Sequence, residues 1–411
     1  MTAMKKWTVL LLVFSLVFLS LGQLTTWAEP QPDPTEEESQ ELDNELPFEV
    51  DAQSALLMEA TTGKILYEKD IDTPFPPASI TKNMTLLLAI EAIEEGKTDW
   101  DDIVVVSENA WRMKGSEMFL EIGQEVTVED LLKGISVVSA NDACVAIAEH
   151  LHGSEAVFVQ KMNEKARELG MENTRFENSS GMPHENHYMS ARDIATLAAH
   201  IVNNHPKILE LESQMEFTFN DILQYNRNPL LRRYPGADGL KTGWTNEAGY
   251  CLVGTAKQNN FRLISVVLNA PSTQARLASS EALLNFGFAN YTYTVIAQKG
   301  EVVGEAPVPD GKNTEVEVSA AELLGAVVQD GEGASLETVI EYEKVSAPIQ
   351  KGDKVGQIIV MLEEEELNRV DVLANEAVER TNFAVIALRK VGGFFSNIGG
   401  GIMDLIRGII E

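Results

Sequence analysis

Residues 81–93, TKNMTLLLAIEAI, are mostly apolar and contain no glycine or proline, which predicts a buried helix. Pro74, Pro76 and Pro77 lie just upstream and mark its start, because proline is disfavoured inside a helix. Ser79 then falls in the first turn. Two more helical runs are predicted at 128–138 and 142–151, with Ser139, Ala140 and Asn141 in the loop between them. Strand patterns frame this helical stretch. Residues 54–59 and 64–68 flank Thr61-Thr62-Gly63 and read as a hairpin. Residues 250–256 and 261–268 flank a polar turn at 257–260 and read as a second, followed by a helix at 273–286. Strands at both ends with helices from about 79 to 204 predict an α/β (α+β) domain over 48–290, an antiparallel sheet packed by helices.

The pattern changes after residue 290. Short β-rich runs at 291–297, 314–318, 338–342 and 355–362 are separated by glycine and aspartate turns, which predicts a small all-β domain over 291–380. The last segment, 381–411, reads differently again. Phe394, Phe395, Ile398, Ile402, Leu405, Ile406 and Ile409 recur near helical spacing, with Asn397, Asp404, Arg407 and Glu411 on the other face. This is an amphipathic helix too polar and short to span a bilayer, suited to lie on the outer face of the cytoplasmic membrane. Arg389 and Lys390 precede it and are placed to meet anionic headgroups, while Gly399, Gly400 and Gly401 weaken the helix in isolation.

The amino terminus carries Lys5 and Lys6, an apolar run at 7–21, and Thr26-Trp27-Ala28. This is the form of a secretory signal, cleaved after Ala28. An acidic, proline-containing stretch at 29–47 follows and reads as a disordered spacer. The formal net charge of -31 argues against nucleic-acid binding, which needs basic patches on phosphate. Cys144 and Cys251 are too few for a disulfide scaffold and read as buried thiols, their pairing left open. The six histidines show no HExxH spacing, so neither metal nor other cofactor is expected. His184 and His187 read as exposed loop residues.

Three short motifs occur in one order: Ser79-Ile80-Thr81-Lys82, Ser139-Ala140-Asn141 and Lys241-Thr242-Gly243. A serine needs a base within reach to act as a nucleophile, and positions i and i+3 of a helix share a face. Ser79 at a helix start also meets unpaired N–H groups and the positive end of the dipole. Lys82 can serve as base only if burial or a neighbouring cation lowers its pKa, and Lys241 is a candidate for that cation. Each motif alone has a plainer reading: Ser79, Asn141 or Asp142 as helix caps, and Lys-Thr-Gly as an exposed strand end. Gly243 would let a substrate backbone approach the strand closely.

Together the three motifs form the set shared by penicillin-binding proteins and β-lactamases. The segments PPASITKNMT, SVVSANDACVAIAEHL, FENSSGMPHENHYMSARDIATLA, NRNPLL, DGLKTGWTNEAGYCLVGTA and RLASSEALLNFGF extend the likeness. Over residues 48–390 the chain resembles the low-molecular-mass penicillin-binding proteins that act as serine-type D-alanyl-D-alanine carboxypeptidases. The resemblance implies a transpeptidase-like fold, peptidoglycan stem peptides ending in D-Ala-D-Ala as substrate, and acylation by β-lactam antibiotics. It implies Ser79 as nucleophile, Lys82 as base, Ser139 as proton shuttle and Asn141 as holder of the substrate amide. Lys241, Thr242 and Arg276 would face the terminal carboxylate, and the N–H groups of Ser79 and Trp244 would form the oxyanion hole. Trp244 stands where many members have histidine. The rival on this fold is a β-lactamase, whose class A members carry Glu-x-x-x-Asn after the second motif. Glu172, Glu177 and Glu185 lie in that region and none has asparagine four residues on.

Overall fold

The computed structural model describes residues 49–329, 335–343, 345–387 and 389. The predicted signal at 1–28, the spacer at 29–47 and the amphipathic helix at 394–410 lie outside the described residues.

A six-stranded antiparallel sheet organises the first part of the chain. Ser54–Glu59 is buried at all six positions and sits between Ile65–Lys69 and Phe261–Ala270. Phe261–Ala270 pairs in turn with Gly249–Gln258, in register Val266↔Val253 and Ile264↔Thr255. Both Ala237–Gly239 and Thr242–Thr245 pair with the far side of Gly249–Gln258. These strands are aliphatic at successive positions because both faces of the sheet are covered. Leu56, Met58, Ile264 and Val266 join the main core with the helices. Ser265 points the other way, its hydroxyl 2.6 Å from that of Ser280 on the helix Thr273–Asn290.

The helix Lys82–Glu94 is the hub of the helical layer. It buries nine of its residues and lacks a polar stripe, as a helix surrounded by protein must. Helices Asn141–His152, Ala191–Asn204 and Pro206–Glu212 pack around it. The run predicted as one helix over 128–138 is divided. Val128–Lys133 is α-helical, and Gly134–Val138 widens into a π-turn that ends with Ser139 in the left-handed region at φ 64°.

Tyr291–Ala297 follows Thr273–Asn290 with no intervening loop and pairs with Leu324–Gln329. A five-stranded antiparallel sheet follows, in the order Val302–Pro307, Glu315–Ala320, Glu365–Ala374, Lys354–Leu362, Leu336–Tyr342. Its core of Val316, Val318, Val360, Val372 and neighbours is separate from the main core. The strands Val302–Pro307, Leu324–Gln329 and Glu365–Ala374 are absent from the sequence expectation. Glu365–Ala374 shows why: its EELNRVDVLA sequence is largely polar and half-exposed, and it is held in mid-sheet by ladders on both sides. Arg389 also differs from expectation. Its guanidinium already donates to the carbonyls of Pro309, Gly311 and Lys312 rather than standing free for a headgroup. No helix among the described residues is long and apolar enough to cross a membrane.

Candidate active site

Ser79 lies in a 3-10 turn, Ala78–Thr81, that runs directly into the helix Lys82–Glu94. In such a turn side chains three apart eclipse, which aligns Ser79 with Lys82 more closely than an α-helix would. Lys82 Nζ donates to Ser79 Oγ at 2.9 Å, to Asn141 Oδ1 at 2.8 Å and to the Ser180 carbonyl at 2.5 Å. Three segments far apart in sequence thus meet at one nitrogen. The Lys82 pKa is brought down to about 8: burial is the main cause, Cys144 and Asp142 oppose it, and Arg227 adds a smaller lowering. Burial thus dominates, and two cations work in the same direction: Arg227 acts on Lys82, and Lys82 and Lys241 disfavour each other's charged form, the part expected of Lys241.

The second motif is held by its surroundings. Asn141 opens the helix Asn141–His152, but its side chain does not cap it. It spans from Lys82 to the Lys114 carbonyl, where its Nδ2 donates at 2.7 Å. Asp142 does not act as the cap either, which falls to the backbone of Ala140. Its carboxylate accepts from the N–H groups of Met118, Leu120 and Ala143 and fixes the wall beside the motif. Ser139 is 3% exposed, and its buried hydroxyl has no hydrogen-bond partner among the described residues. Arg227 Nε donates to the Val138 carbonyl at 3.2 Å, just before Ser139.

Sequence reasoning missed the loop that completes the site. Asn178 Oδ1 accepts from the N–H groups of Ser180, Gly181 and Met182, folding the segment so that the Ser180 carbonyl reaches Lys82. Thr85 Oγ1 donates to the Ser179 carbonyl at 2.6 Å, and Glu155 accepts from both the N–H and the hydroxyl of Ser179. Gly181 has φ +86°, and a Cβ there would fall 1.8 Å from the Ala78 carbonyl oxygen, so only glycine fits against the nucleophile turn. The FENSSGMP segment was the available signal, but a carbonyl contact has no residue-type signature. His187 is buried rather than exposed, at 3%. Burial pushes its pKa down to about 4, so the ring is neutral. Its Nδ1 accepts from Glu177 N–H and faces Asn178 Nδ2, which leaves Nε2–H to donate to Thr81 Oγ1 at 2.9 Å. His184 is exposed as expected.

The third motif forms the opposite wall. Thr242–Thr245 is a strand at the sheet edge, and Gly243 pairs with Cys251. A Cβ on Gly243 would lie 2.8 Å from the Pro77 carbonyl oxygen. The close approach that requires glycine is therefore to the protein's own Ser79 turn. Lys241 and Thr242 are buried, while Trp244 is 54% exposed beside Tyr250, ring centroids 6.0 Å apart. Arg276 lies beneath the strand, where its Nη1 donates to the carbonyls of Gly243 and Cys251, each at 3.3 Å.

A second buried carboxylate belongs to this wall and was not anticipated. Glu212 is fully buried at the end of Pro206–Glu212, and neither of its oxygens has a hydrogen-bond partner among the described residues. Burial pushes its pKa up and Lys241 pulls it back, while burial and Lys82 push the Lys241 pKa down and Glu212 raises it. Glu212 thus offsets part of what Lys241 loses by leaving water. Cys144 and Cys251 are separate buried free thiols, as expected.

The arrangement brings Ser79, Lys82, Asn141 and Ser180 into direct contact, with Gly243 packed on the turn before Ser79 and Arg276 under Gly243. A half-buried hydroxyl on a lysine of lowered pKa, faced by a lysine-threonine strand, is equipped for acyl transfer to serine from a substrate carrying a carboxylate.

The sequence profile described as D-alanyl-D-alanine carboxypeptidase matches residues 38–272, and that of the penicillin-binding protein 5 C-terminal domain matches 291–380. The chain is 39% identical over 355 residues to the D-alanyl-D-alanine carboxypeptidase DacF of Bacillus subtilis, covering 83% of this chain and 90% of that protein. Its structure is similar to penicillin-binding protein 5 from Haemophilus influenzae, with TM-score 0.74 and 35% identity over 82% of this chain and 99% of that one. It is also similar to penicillin-binding protein D2 from Listeria monocytogenes in its ampicillin-bound form, with TM-score 0.55 and 32% identity over 59% of this chain and 99% of that one.

Proposed function

Because the chain belongs to the D-alanyl-D-alanine carboxypeptidase family, we propose that Ser79 is the nucleophile with which it removes the terminal D-alanine of peptidoglycan stem peptides. The chain is a serine-type carboxypeptidase and penicillin-binding protein of cell-wall biogenesis. The residue assignments are our reading, and the bonding of Lys82 is the observation that carries them.

As an ammonium, Lys82 donates one N–H to each of its three partners. As an amine it keeps two N–H groups and gains a lone pair. The carbonyl oxygens of Asn141 and Ser180 can only accept, so they retain the two N–H groups. The lone pair is then left facing Ser79, whose hydroxyl can donate to it. Lys82 takes that proton as Ser79 Oγ attacks the carbonyl carbon of the penultimate D-alanine. The N–H groups of Ser79 and Trp244 hold the oxyanion. Ser139 passes the proton to the departing amine as the C–N bond breaks, and water then hydrolyses the ester. Asn141 binds the substrate amide. Lys241 and Thr242 bind the terminal carboxylate, with Gly243 and Arg276 setting the strand.

A β-lactam acylates the same serine. Among the described residues, the groups hydrogen-bonded to Ser79 and Lys82 include no carboxylate to activate water, which favours a long-lived penicilloyl enzyme over a β-lactamase. Ser79→Ala is expected to abolish both D-alanine release from diacetyl-Lys-D-Ala-D-Ala and covalent penicillin labelling. Labelling that survives the substitution would refute the assignment, and rapid turnover of a chromogenic cephalosporin would favour the β-lactamase reading.

We further read residues 1–28 as the export signal, 48–290 as the catalytic domain, 291–380 as a stalk and 381–411 as a peripheral anchor on the outer face of the cytoplasmic membrane. The amphipathic pattern at 394–410 supports the anchor. Removal of residues 391–411 is expected to move the protein from the membrane pellet to the soluble fraction. A truncated protein that still sediments with membranes would end that reading.

A further inference from the structure

Histidines that show no metal spacing along the chain meet across it, away from the serine. Glu91 lies in the last turns of the helix Lys82–Glu94, His200 is near the end of Ala191–Asn204, and His205 joins that helix to Pro206–Glu212. His200 Nε2 is 4.0 Å from Glu91 Oε1, and His205 Nε2 is 3.9 Å from the same oxygen. One donor atom from each residue lies within 4.8 Å of the other two, and the imidazole centroids are 5.1 Å apart.

We propose that Glu91, His200 and His205 form a structural divalent-metal site, best matched to zinc(II), with Glu91 Oε1, His200 Nε2 and His205 Nε2 as ligands and a fourth position for water. Two imidazoles and a carboxylate are a donor set that suits this ion. A tetrahedral ion with bonds of about 2.0–2.1 Å holds its donors about 3.4 Å apart. The two histidine–carboxylate spacings of 4.0 and 3.9 Å exceed this by about half an ångström, so the side chains must draw together around the ion.

The surroundings orient the ligands. His205 Nδ1 lies 2.9 Å from Glu94 Oε2. With Nδ1–H donating to that carboxylate, the lone pair is fixed on Nε2, toward Glu91. A carboxylate behind a ligating imidazole is the arrangement that sets its tautomer and raises its basicity. His200 Nε2 is buried without a hydrogen-bond partner among the described residues, an expense that a metal bond would remove. Asn204 Nδ2 lies 3.1 Å from His200 Nδ1 and also donates to the His200 carbonyl at 3.1 Å, so metal binding through Nε2 requires the Asn204 side chain to move off Nδ1 and leave Nδ1–H to water. The competing group is Lys165, whose Nζ is 3.0 Å from Glu91 Oε1 and also 3.0 Å from Glu168 Oε2. It can keep Glu168 when Glu91 turns to the ion.

The site would tie together the ends of three helices. One of them begins with Lys82 and another ends with Glu212, so an ion here would brace the scaffold under the serine without entering the reaction. The test uses the full chain in detergent, without a histidine tag, stripped by chelator and titrated with zinc chloride. One zinc per chain is expected, with a rise in melting temperature of about 5 °C at a hundredfold excess over Kd. Cobalt(II) should give the intense visible bands of a tetrahedral site. The double variant His200→Gln, His205→Gln should lose the zinc and the thermal shift while penicillin still labels Ser79, which shows that it is folded. Absence of zinc binding by the wild-type chain, a cobalt spectrum without tetrahedral bands, or equal zinc binding by the double variant would overturn the proposal. The cobalt measurement stands on the wild type alone if the variant fails to fold.

Discussion

At Lys82, burial and function act on the same nitrogen. Its pKa of about 8 lies below the ordinary 10.5, so the amine form is present near neutral pH. Acylation of Ser79 by penicillin is expected to accelerate as pH rises through about 8, as more of the lysine becomes a base. Stability follows the same sign. Between about 8 and 10.5 the unfolded chain holds a proton that the folded chain has released, so the Lys82 contribution makes the fold more stable as pH rises through that window. Lys82→Arg cannot supply a neutral base and should slow acylation by about 10²–10⁴-fold. A stopped-flow pH profile that is flat in the wild type, or a Lys82→Arg variant that acylates normally, would remove Lys82 from that role. Much of this was legible in the chain, because Ser79 and Lys82 are close in sequence and Asn141 and Lys241 sit in recognisable short motifs. Glu212 was not, since an isolated glutamate before a loop has the pattern of a surface residue until the fold buries it.

The elements were legible where hydrophobic pattern and structure share a cause. The first hairpin, the Lys82 helix and the second hairpin follow from buried aliphatic runs bounded by turns. The π-turn before Ser139 and the strand Glu365–Ala374 were hidden, because backbone pairing rather than side-chain pattern decides them. The 178–182 loop belongs to the same class, and Gly181 is its most constrained position. Gly181→Ala would combine a positive φ with a Cβ 1.8 Å from the Ala78 oxygen. It should cost roughly 2–4 kcal/mol in urea unfolding, and by displacing the Ser180 carbonyl it should slow acylation at least about tenfold. A variant with wild-type stability and acylation would show that this contact does not support the nucleophile turn.

On the scale of the whole molecule, chemistry and the second β-sheet are separable. Every residue assigned to the reaction lies between Ser79 and Arg276, and the five-stranded sheet has its own core. The Listeria protein D2, similar over 99% of its length to 59% of this chain, is a shorter relative that binds ampicillin. A chain ended after Asn290 is therefore expected to label with penicillin at the full-length rate once purified. Labelling that requires the remaining residues would show that the β-sheet domain takes part in building the serine site.

The helix Thr273–Asn290 has a mechanical consequence. Its eighteen residues make a rod about 27 Å long. Near one end Arg276 grips the carbonyls of Gly243 and Cys251, and at the other the chain passes into Tyr291–Ala297 without a loop. Tension applied to the second domain is thus transmitted along a stiff strut to the floor of the substrate cleft, where no slack segment absorbs it.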